Sequence, residues 1–315
     1  MDEILALTFT DKAAGEMTER VDVLLPYGYT DVWISTFHAF GDRLLRESAL
    51  EIGLNPDFDV LAKPDAGIFF REHLFEFPLK LYRPLSNPTK FIEVILELFS
   101  RLRDDDIAPE EYSAYAHTLN KEEEKAGDET QIEISQKHLE IAQTYAKYLE
   151  LLDTEGKVDF GNQFFLALKV LRTHKSILRR HQEQFKYILV DEFQDTNYAQ
   201  FQLLRLLAAG HKNISVVADD DQCIFRFRGA AYSNILNFKQ EYPKAKQISL
   251  IHNYRSTQAI LDTAYRLIQN NNPERFEIKA DINKKLIGIS KKGQEVKHLH
   301  FDTVSSEADE VARII

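Results

Sequence analysis

The stretch YILVDEFQDTN, Tyr187 to Asn197, decides the fold. Its first four residues form a continuous apolar, β-prone run, and two adjacent carboxylates, Asp191 and Glu192, follow at once. A run without polar alternation marks a strand buried on both faces of a parallel sheet. Open parallel sheets bind ligands in the crevice at the carboxyl ends of their strands. One acid in that crevice can hold Mg²⁺, directly or through water. Its neighbour can orient and deprotonate an attacking water. Phosphoryl transfer needs both, because its catalysis is mostly positioning and charge neutralisation. The competing reading, two solvated acids at a strand end, has no use for the Gln194, Asp195 and Thr196 that follow.

The same unit recurs on either side of this stretch. ILALTFT (Ile4 to Thr10) precedes the helical pattern DKAAGEMTERV, and VWIST (Val32 to Thr36) precedes FHAFGDRLLRESALEIG. ISVVADD (Ile214 to Asp220) and QISLI (Gln247 to Ile251) repeat the theme, each followed by a helical pattern. Strand–helix alternation of this kind predicts an open α/β fold. From Pro56 to Thr154 the pattern changes. FIEVILELFSRL and KHLEIAQTYAKYLELL space their apolar residues three and four apart, and no strand is expected there. A helical domain inserted into the α/β domain is the simplest organisation. The predicted divisions are therefore residues 1–55 and 155–272 for the α/β domain and 56–154 for the insertion. A further domain begins at 273, with a strand at VKHLHF (Val296 to Phe301) and a Ser-capped helix in SSEADEVARII.

Composition sets outer bounds. Apolar residues make up 44% of the 315, enough for a sizeable core. The single cysteine, Cys223, excludes an internal disulfide and fits a reducing cytosol. The N-terminal residues are acidic with a short apolar run, unlike a signal peptide, and no stretch reaches the length of a membrane span. A cytoplasmic location without membrane contact is the expectation. A net charge of −11 speaks against a nucleic-acid partner, but the charge is unevenly spread. Eleven acids against four bases between Arg101 and Ser135 carry −7 of it, as a solvated helical face or loop. The remainder is near neutral and leaves room for a local DNA groove.

Further strand ends carry chemistry. In VVADDDQCIFRFRGA (Val216 to Ala230), Gln222 stands beside three acids and can report a terminal phosphoryl group through a hydrogen bond. Phe225 and Phe227 alternate there with Arg226 and Arg228. Aromatic faces stack on bases regardless of sequence, and Arg adds phosphate or cation–π contact. In HNYRST (His252 to Thr257), Tyr254 can stack on an adenine and Arg255 can stabilise charge on a γ-phosphate. TFTDKAA and STFHAF set Phe9 and Phe37 just past a strand, with Thr8, Thr36 and His38 beside them. These suit a sugar–phosphate backbone with stacked bases; the alternative for each is a buried aromatic under a polar cap.

Taken in order and spacing, TFTDKAAGEMTERV, STFHAF, DEFQDTN, DDDQCIFRFRGA and NYRST resemble the successive motifs of UvrD/Rep/PcrA helicases of superfamily 1. VDFGNQF (Val158 to Phe164) falls where that family has a further DNA-contacting segment. The resemblance implies a RecA-like sheet and an ATP-driven 3′–5′ motor using ATP and Mg²⁺. Its track is single-stranded DNA, or a duplex with a single-stranded tail. It implies that Asp191 is the Mg²⁺ acid and Glu192 the catalytic base. Gln222 senses the γ-phosphate, Tyr254 stacks on adenine and Arg255 touches the γ-phosphate. Thr8, Phe9, Thr36, Phe37, His38, Phe225, Phe227 and Arg228 lie along the strand. Departures are mild: Ala218, Cys223, Phe225 and Phe227 stand where the family usually has Gly, Ser, Tyr and often Trp, and Gly161 and Asn162 where it often has acids.

No G-x-x-x-x-G-K-[ST] occurs in the 315 residues; the one Gly-Lys pair, Gly156-Lys157, is followed by Val. In the family that loop comes just before the first motif found here, so the expectation is a piece of a longer helicase lacking its P-loop and its last motifs. Without the loop the triphosphate loses its backbone donors and its Lys, and the chain alone is expected to hydrolyse ATP poorly or not at all. The rival expectation is an inactive remnant that binds single-stranded DNA or a partner. A helicase–nuclease parent is a sister possibility.

Overall fold

The computed structural model describes residues 3–25, 32–223, 232–273, 275–280, 282–289 and 293–315. In chain order the first elements are β1 (Ile4–Thr8), α1 (Asp11–Leu24), β2 (Trp33–Thr36) and α2 (Phe37–Ser48). Then come β3 (Asp59–Leu61), α3 (Lys63–Glu72), α4 (Ile92–Asp104), α5 (Pro109–Ala126), α6 (Glu129–Thr154) and β4 (Lys157–Asp159). The next group is α7 (Phe160–Thr173), α8 (Lys175–Gln184), β5 (Tyr187–Val190), α9 (Tyr198–Ala208), β6 (Ile214–Val216) and α10 (Tyr232–Glu241). Last are β7 (His252–Asn253), α11 (Gln258–Ile268), α12 (Phe276–Lys279), β8 (Ile287–Gly288) and α13 (Val304–Ile314).

Four of the five strands expected in the repeating strand–helix units form one parallel sheet in the order β2-β1-β5-β6. Its register sets Thr8 opposite Thr36, Leu7 opposite Val190, and Val190 opposite Val216. One face is closed by helices. Leu5, Leu7, Ile188 and Val190 point into a core shared with Phe40 and Leu44 of α2, Leu168 and Leu171 of α7, and Leu203 and Leu207 of α9. Trp33 packs edge-on against Phe185, with ring centroids 5.0 Å apart. The other face departs from expectation. Tyr187 and Leu189 are 52% and 45% exposed, so β5 alternates buried and open where its unbroken apolar run predicts burial on both sides.

The segment from α3 to α6 is helical and builds a core of its own from Phe69, Phe70, Phe77, Phe99, Tyr112, Tyr145 and Tyr148. A buried carboxylate helps hold it together: Glu140 accepts from the backbone N–H groups of Leu81 and Tyr82, each at 2.9 Å. Such charge-assisted bonds offset the cost of burying the acid. The stretch is bracketed by the parallel pair β3–β4, in which Val60 faces Val158. β3 corrects the expectation of no strand after Pro56; three residues are too few to show a period. The acidic stretch lies mostly on the exposed faces of α5 and α6, as expected, but Asp104 and Asp106 are half-buried.

The chain divides into two compact units, Met1–Pro243 and Lys244–Ile315. Sequence alone places the last division near Asn272, because QISLI reads as a fifth strand of the sheet. QISLI is not a strand; Ile248 and Leu250 are 68% and 76% exposed. The short strand next to it, β7, pairs with β8 inside the second unit, His252 opposite Ile287. VKHLHF is likewise without strand structure, with Val296 and Leu299 about half-exposed. An apolar run becomes a strand only where a neighbour takes up its backbone N–H and C=O groups. α13 forms as expected, but its cap is Thr303, whose hydroxyl accepts from the Ser306 N–H at 3.1 Å.

Candidate functional site

The parallel register brings four strand ends to one edge of the sheet. The chain leaves β5 through Asp191, whose N–H still donates to the Leu7 carbonyl at 2.9 Å. Glu192 then takes the left-handed conformation, φ 50°, which a non-glycine residue adopts at a cost. This turn leaves Asp191 half-buried at the strand end and swings Glu192 into solvent. Phe193 drops back into the core and donates its N–H to the Val217 carbonyl at 2.9 Å.

Gln194 is a key residue of this edge that sequence reasoning did not place among the site residues. Its side chain is 1% exposed. The amide nitrogen donates to Glu192 Oε2 at 2.5 Å, and the amide oxygen accepts from the Asp219 N–H at 3.0 Å. One buried amide thus ties the loop after β5 to the loop after β6. A buried amide demands partners at both ends, so the two loops are locked in one arrangement. The signal in the sequence is a neutral, hydrogen-bonding residue between Phe193 and Asp195, but nothing there says which loop it grips.

On the second loop, Asp219 Oδ1 accepts from the Asp221 N–H at 3.2 Å and Asp219 Oδ2 from the Gln222 side-chain amide at 2.8 Å. Oxygens of Asp219, Asp220 and Asp221 lie within 4.8 Å of one another. Hard oxygen donors of this kind suit Mg²⁺, and the half-buried Asp191 at the end of β5 suits it too. The triphosphate fits less well: no phosphate-cradling loop occurs among these 315 residues.

Thr8 and Thr36 face each other across the β1–β2 ladder at the same edge. Thr8 is fully buried, and its hydroxyl has no hydrogen-bond partner among the described residues. Thr36 is 8% exposed and caps α2, accepting from the Ala39 N–H at 3.3 Å. Phe9 is half-buried. Phe37 is 2% exposed and packs edge-on against Phe164, so its ring offers no face to a base and serves the core. That corrects the stacking role expected of it; the first residue of an amphipathic helix is as well placed to turn inward as outward. His38 is half-buried between the rings of Phe160 and Phe164, 5.9 and 6.0 Å away. Burial pushes its pKa below the ordinary imidazole value, against a smaller upward pull from Asp11. Phe160 is 54% exposed beside it and joins the candidate contacts. Phe225, Phe227 and Arg228 lie outside the described residues.

Asp159, within VDFGNQF, is scaffold instead. It is 5% exposed and accepts from Arg103 at 2.8 and 2.9 Å, from the Tyr148 hydroxyl at 2.7 Å and from the Asn162 N–H at 2.7 Å. In the second unit, Tyr254 is 76% exposed and Arg255 is exposed. The Asn253 side chain holds their turn, accepting from the N–H groups of Arg255 and Ser256 at 3.0 and 2.8 Å.

Residues 1–243 match the model of the UvrD/REP helicase N-terminal domain, and residues 248–315 that of the UvrD-like helicase C-terminal domain. The chain is 36% identical over 309 residues to a protein of Leuconostoc citreum named ATP-dependent DNA helicase PcrA, covering 97% of this chain and 37% of that protein. Proteins of the same name from Bacillus subtilis (strain 168) and Staphylococcus aureus (strain Mu50 / ATCC 700699) are 38% and 33% identical over 85% and 99% of the chain. The chain spans 33–39% of the length of these relatives. No described helix is long and apolar enough to cross a membrane.

Proposed function

The chain belongs to the UvrD/REP helicase family, and from that premise we propose that it is part of an ATP-dependent motor that moves 3′ to 5′ on single-stranded DNA, entering a duplex from a single-stranded tail. We read residues 56–154 as a helical domain inserted into a RecA-like motor domain, acting in the cytoplasm. The observation that carries the reading is the convergence of Thr8, Thr36, Asp191 and the Asp219–Gln222 loop on one edge of a parallel sheet. Such an edge is where this class of fold takes its ligands.

In this reading Asp191 would hold Mg²⁺, and the Asp219–Asp221 carboxylates, whose oxygens lie within 4.8 Å of one another, offer further oxygen donors. Bound Mg²⁺ supplies charge neutralisation at the phosphates. Glu192 takes the proton of the attacking water, and the strained turn keeps its carboxylate pointed out of the sheet. Gln194 fixes that turn to the second loop, so a contact felt by Gln222 is transmitted to Glu192 through one amide. Tyr254 stacks on adenine and Arg255 meets the γ-phosphate. Phe9, His38, Phe160, Phe225, Phe227 and Arg228 line the strand, with Thr8 and Thr36 beneath them.

The test is titration of a fluorescent oligo(dT) with the chain, followed by anisotropy at rising salt. Binding is expected to weaken steeply with salt, as phosphate contacts require. Phe227→Ala/Arg228→Ala is expected to weaken it by about tenfold or more, since one stacked base is worth ~1–3 kcal/mol. Unchanged affinity in that variant removes the assignment. The rival reading, binding without turnover, draws on the missing G-x-x-x-x-G-K-[ST] in these 315 residues. It predicts that Glu192→Gln alters no property of the protein that contains this chain, whereas the motor reading predicts loss of ATP turnover there.

A further inference from the structure

The C-terminal end of α4 and the turn after it send side chains to α7 and to the start of α9, which follows the carboxylate loop. Arg103 reaches Asp159 at the start of α7, Asp106 accepts a bidentate pair of bonds from Arg172 further along α7, and Asp104 meets Asn197. The last contact bears on the site. Asn197 is 8% exposed and caps α9, exchanging bonds with Gln200 at 2.8 and 3.1 Å. Its side-chain oxygen is spent on the cap, so its buried amide nitrogen needs an acceptor. Asp104 Oδ1 supplies one at 2.7 Å, a charge-assisted length.

We propose that Asp104 is a positioning residue for the carboxylate loop: through Asn197 it fixes the start of α9, and with it the turn that presents Asp191 and Glu192. The proposal rests on the reading of that loop as the metal and water site. Three struts then hold the turn. Gln194 ties it to the β6 loop, Asn234 of α10 donates to the Thr196 carbonyl at 2.8 Å, and Asp104 holds Asn197 from the helical stretch. The third joins the α3–α6 segment to the loop directly, so displacement of that segment shifts the carboxylates. Burial raises the pKa of Asp104 from 3.8 to about 6, opposed by Arg103 on its own helix, with Asp105 adding to the rise and the Asn197 bond lowering it. Of the neighbouring elements, α7 presents Arg172, already held by Asp106, and α9 presents the uncharged Asn197 amide.

Hydrogen exchange on the full chain tests this. The amides of Asp195, Thr196 and Gln200 report the loop, donating to Glu192 O, Phe193 O and Asn197 Oδ1; those of Ile188 and Asp191 report the strand, donating to Asn213 O and Leu7 O. Asp104→Ala is expected to speed exchange at the three loop amides by about tenfold, the worth of one charge-assisted hydrogen bond, and to leave the two strand amides alone. Asp104→Asn, which keeps an acceptor oxygen, is expected to restore protection. After correction for intrinsic rates, loop protection in the parent chain should change near pH 6, and in Asp104→Asn it should stay flat. Loop amides unmoved by Asp104→Ala, or all five accelerated together, overturn the proposal. If the exchange pattern holds while oligonucleotide binding fails, the functional reading alone falls.

Discussion

Replacing Asp159 with Ala should unfold this protein more readily than any change at its exposed acids. The side chain gathers two bonds from Arg103, one from the Tyr148 hydroxyl and one from the Asn162 N–H, all inside the protein. Without it Arg103, 4% exposed, keeps a full charge with the Phe99 carbonyl at 3.1 Å as its one hydrogen-bond acceptor among the described residues. Stranding a buried charge costs about 3–5 kcal/mol, and α7 loses its N-cap at the same time, worth ~1 kcal/mol. The two losses share one site and do not simply add. Arg103→Met should cost less, roughly 1–3 kcal/mol, because Asp159 keeps its Tyr148 and Asn162 donors. The assay is urea unfolding followed by circular dichroism, comparing midpoints at equal slope. Destabilisation by Asp159→Ala that is no larger than that by Arg103→Met would refute the reasoning. So would an Asp159→Ala chain of full stability that has lost only DNA affinity, since Asp159 would then be a surface contact.

Other outcomes follow from the same geometry. Phe37→Ala should destabilise by about 3–5 kcal/mol, as core Phe truncations do, whereas His38→Ala should leave the unfolding midpoint nearly unchanged and weaken oligo(dT) binding; equal effects on both measurements would contradict the division of roles. Gln194→Leu should cost about 1–3 kcal/mol by orphaning the Asp219 N–H and should raise hydrogen exchange at Phe193 and Asp219 together, a coupling absent if the loops are independent. For Asp104, the folded pKa of about 6 stands above the unfolded 3.8, so the native state holds the proton more tightly. Stability should therefore fall as pH rises from about 4 to about 6 and level off above, and the difference in midpoint between the parent chain and Asp104→Asn should follow that curve.

Sequence makes the sheet legible where a strand finds a neighbour to pair with, at the edges β2 and β6 as well as at the centre, and fails where it does not. Ile4–Thr8, Trp33–Thr36, Tyr187–Val190 and Ile214–Val216 all lie within their expected runs, because strong β-formers there also have neighbours to pair with. QISLI has the same composition, but among the described residues its one backbone bond is at its end, where the Ile251 carbonyl accepts from the Ile287 N–H at 2.7 Å, and partnership is not written in a local run. At the candidate site the sequence makes the strand end legible: Asp191 and Glu192 follow β5 directly, as the end of its apolar run predicts. Gln194 and Asn197 stayed out of the site because their importance lies in what they reach, Asp219 and Asp104, across 25 and 93 residues of chain. Phe37 misleads for the opposite reason: an aromatic past a strand end suits a base and a core equally, and Phe164 takes it.

We propose that the carboxyl edge of the β2-β1-β5-β6 sheet is the nucleic-acid face, and a hydrogen-exchange footprint with and without oligo(dT) decides it. Oligonucleotide should protect Thr8–Thr10, Thr36–His38 and the region around Phe160, and leave the exposed acidic helices α5 and α6 unchanged. Protection confined to α5 and α6, or none at saturating oligonucleotide, would contradict it.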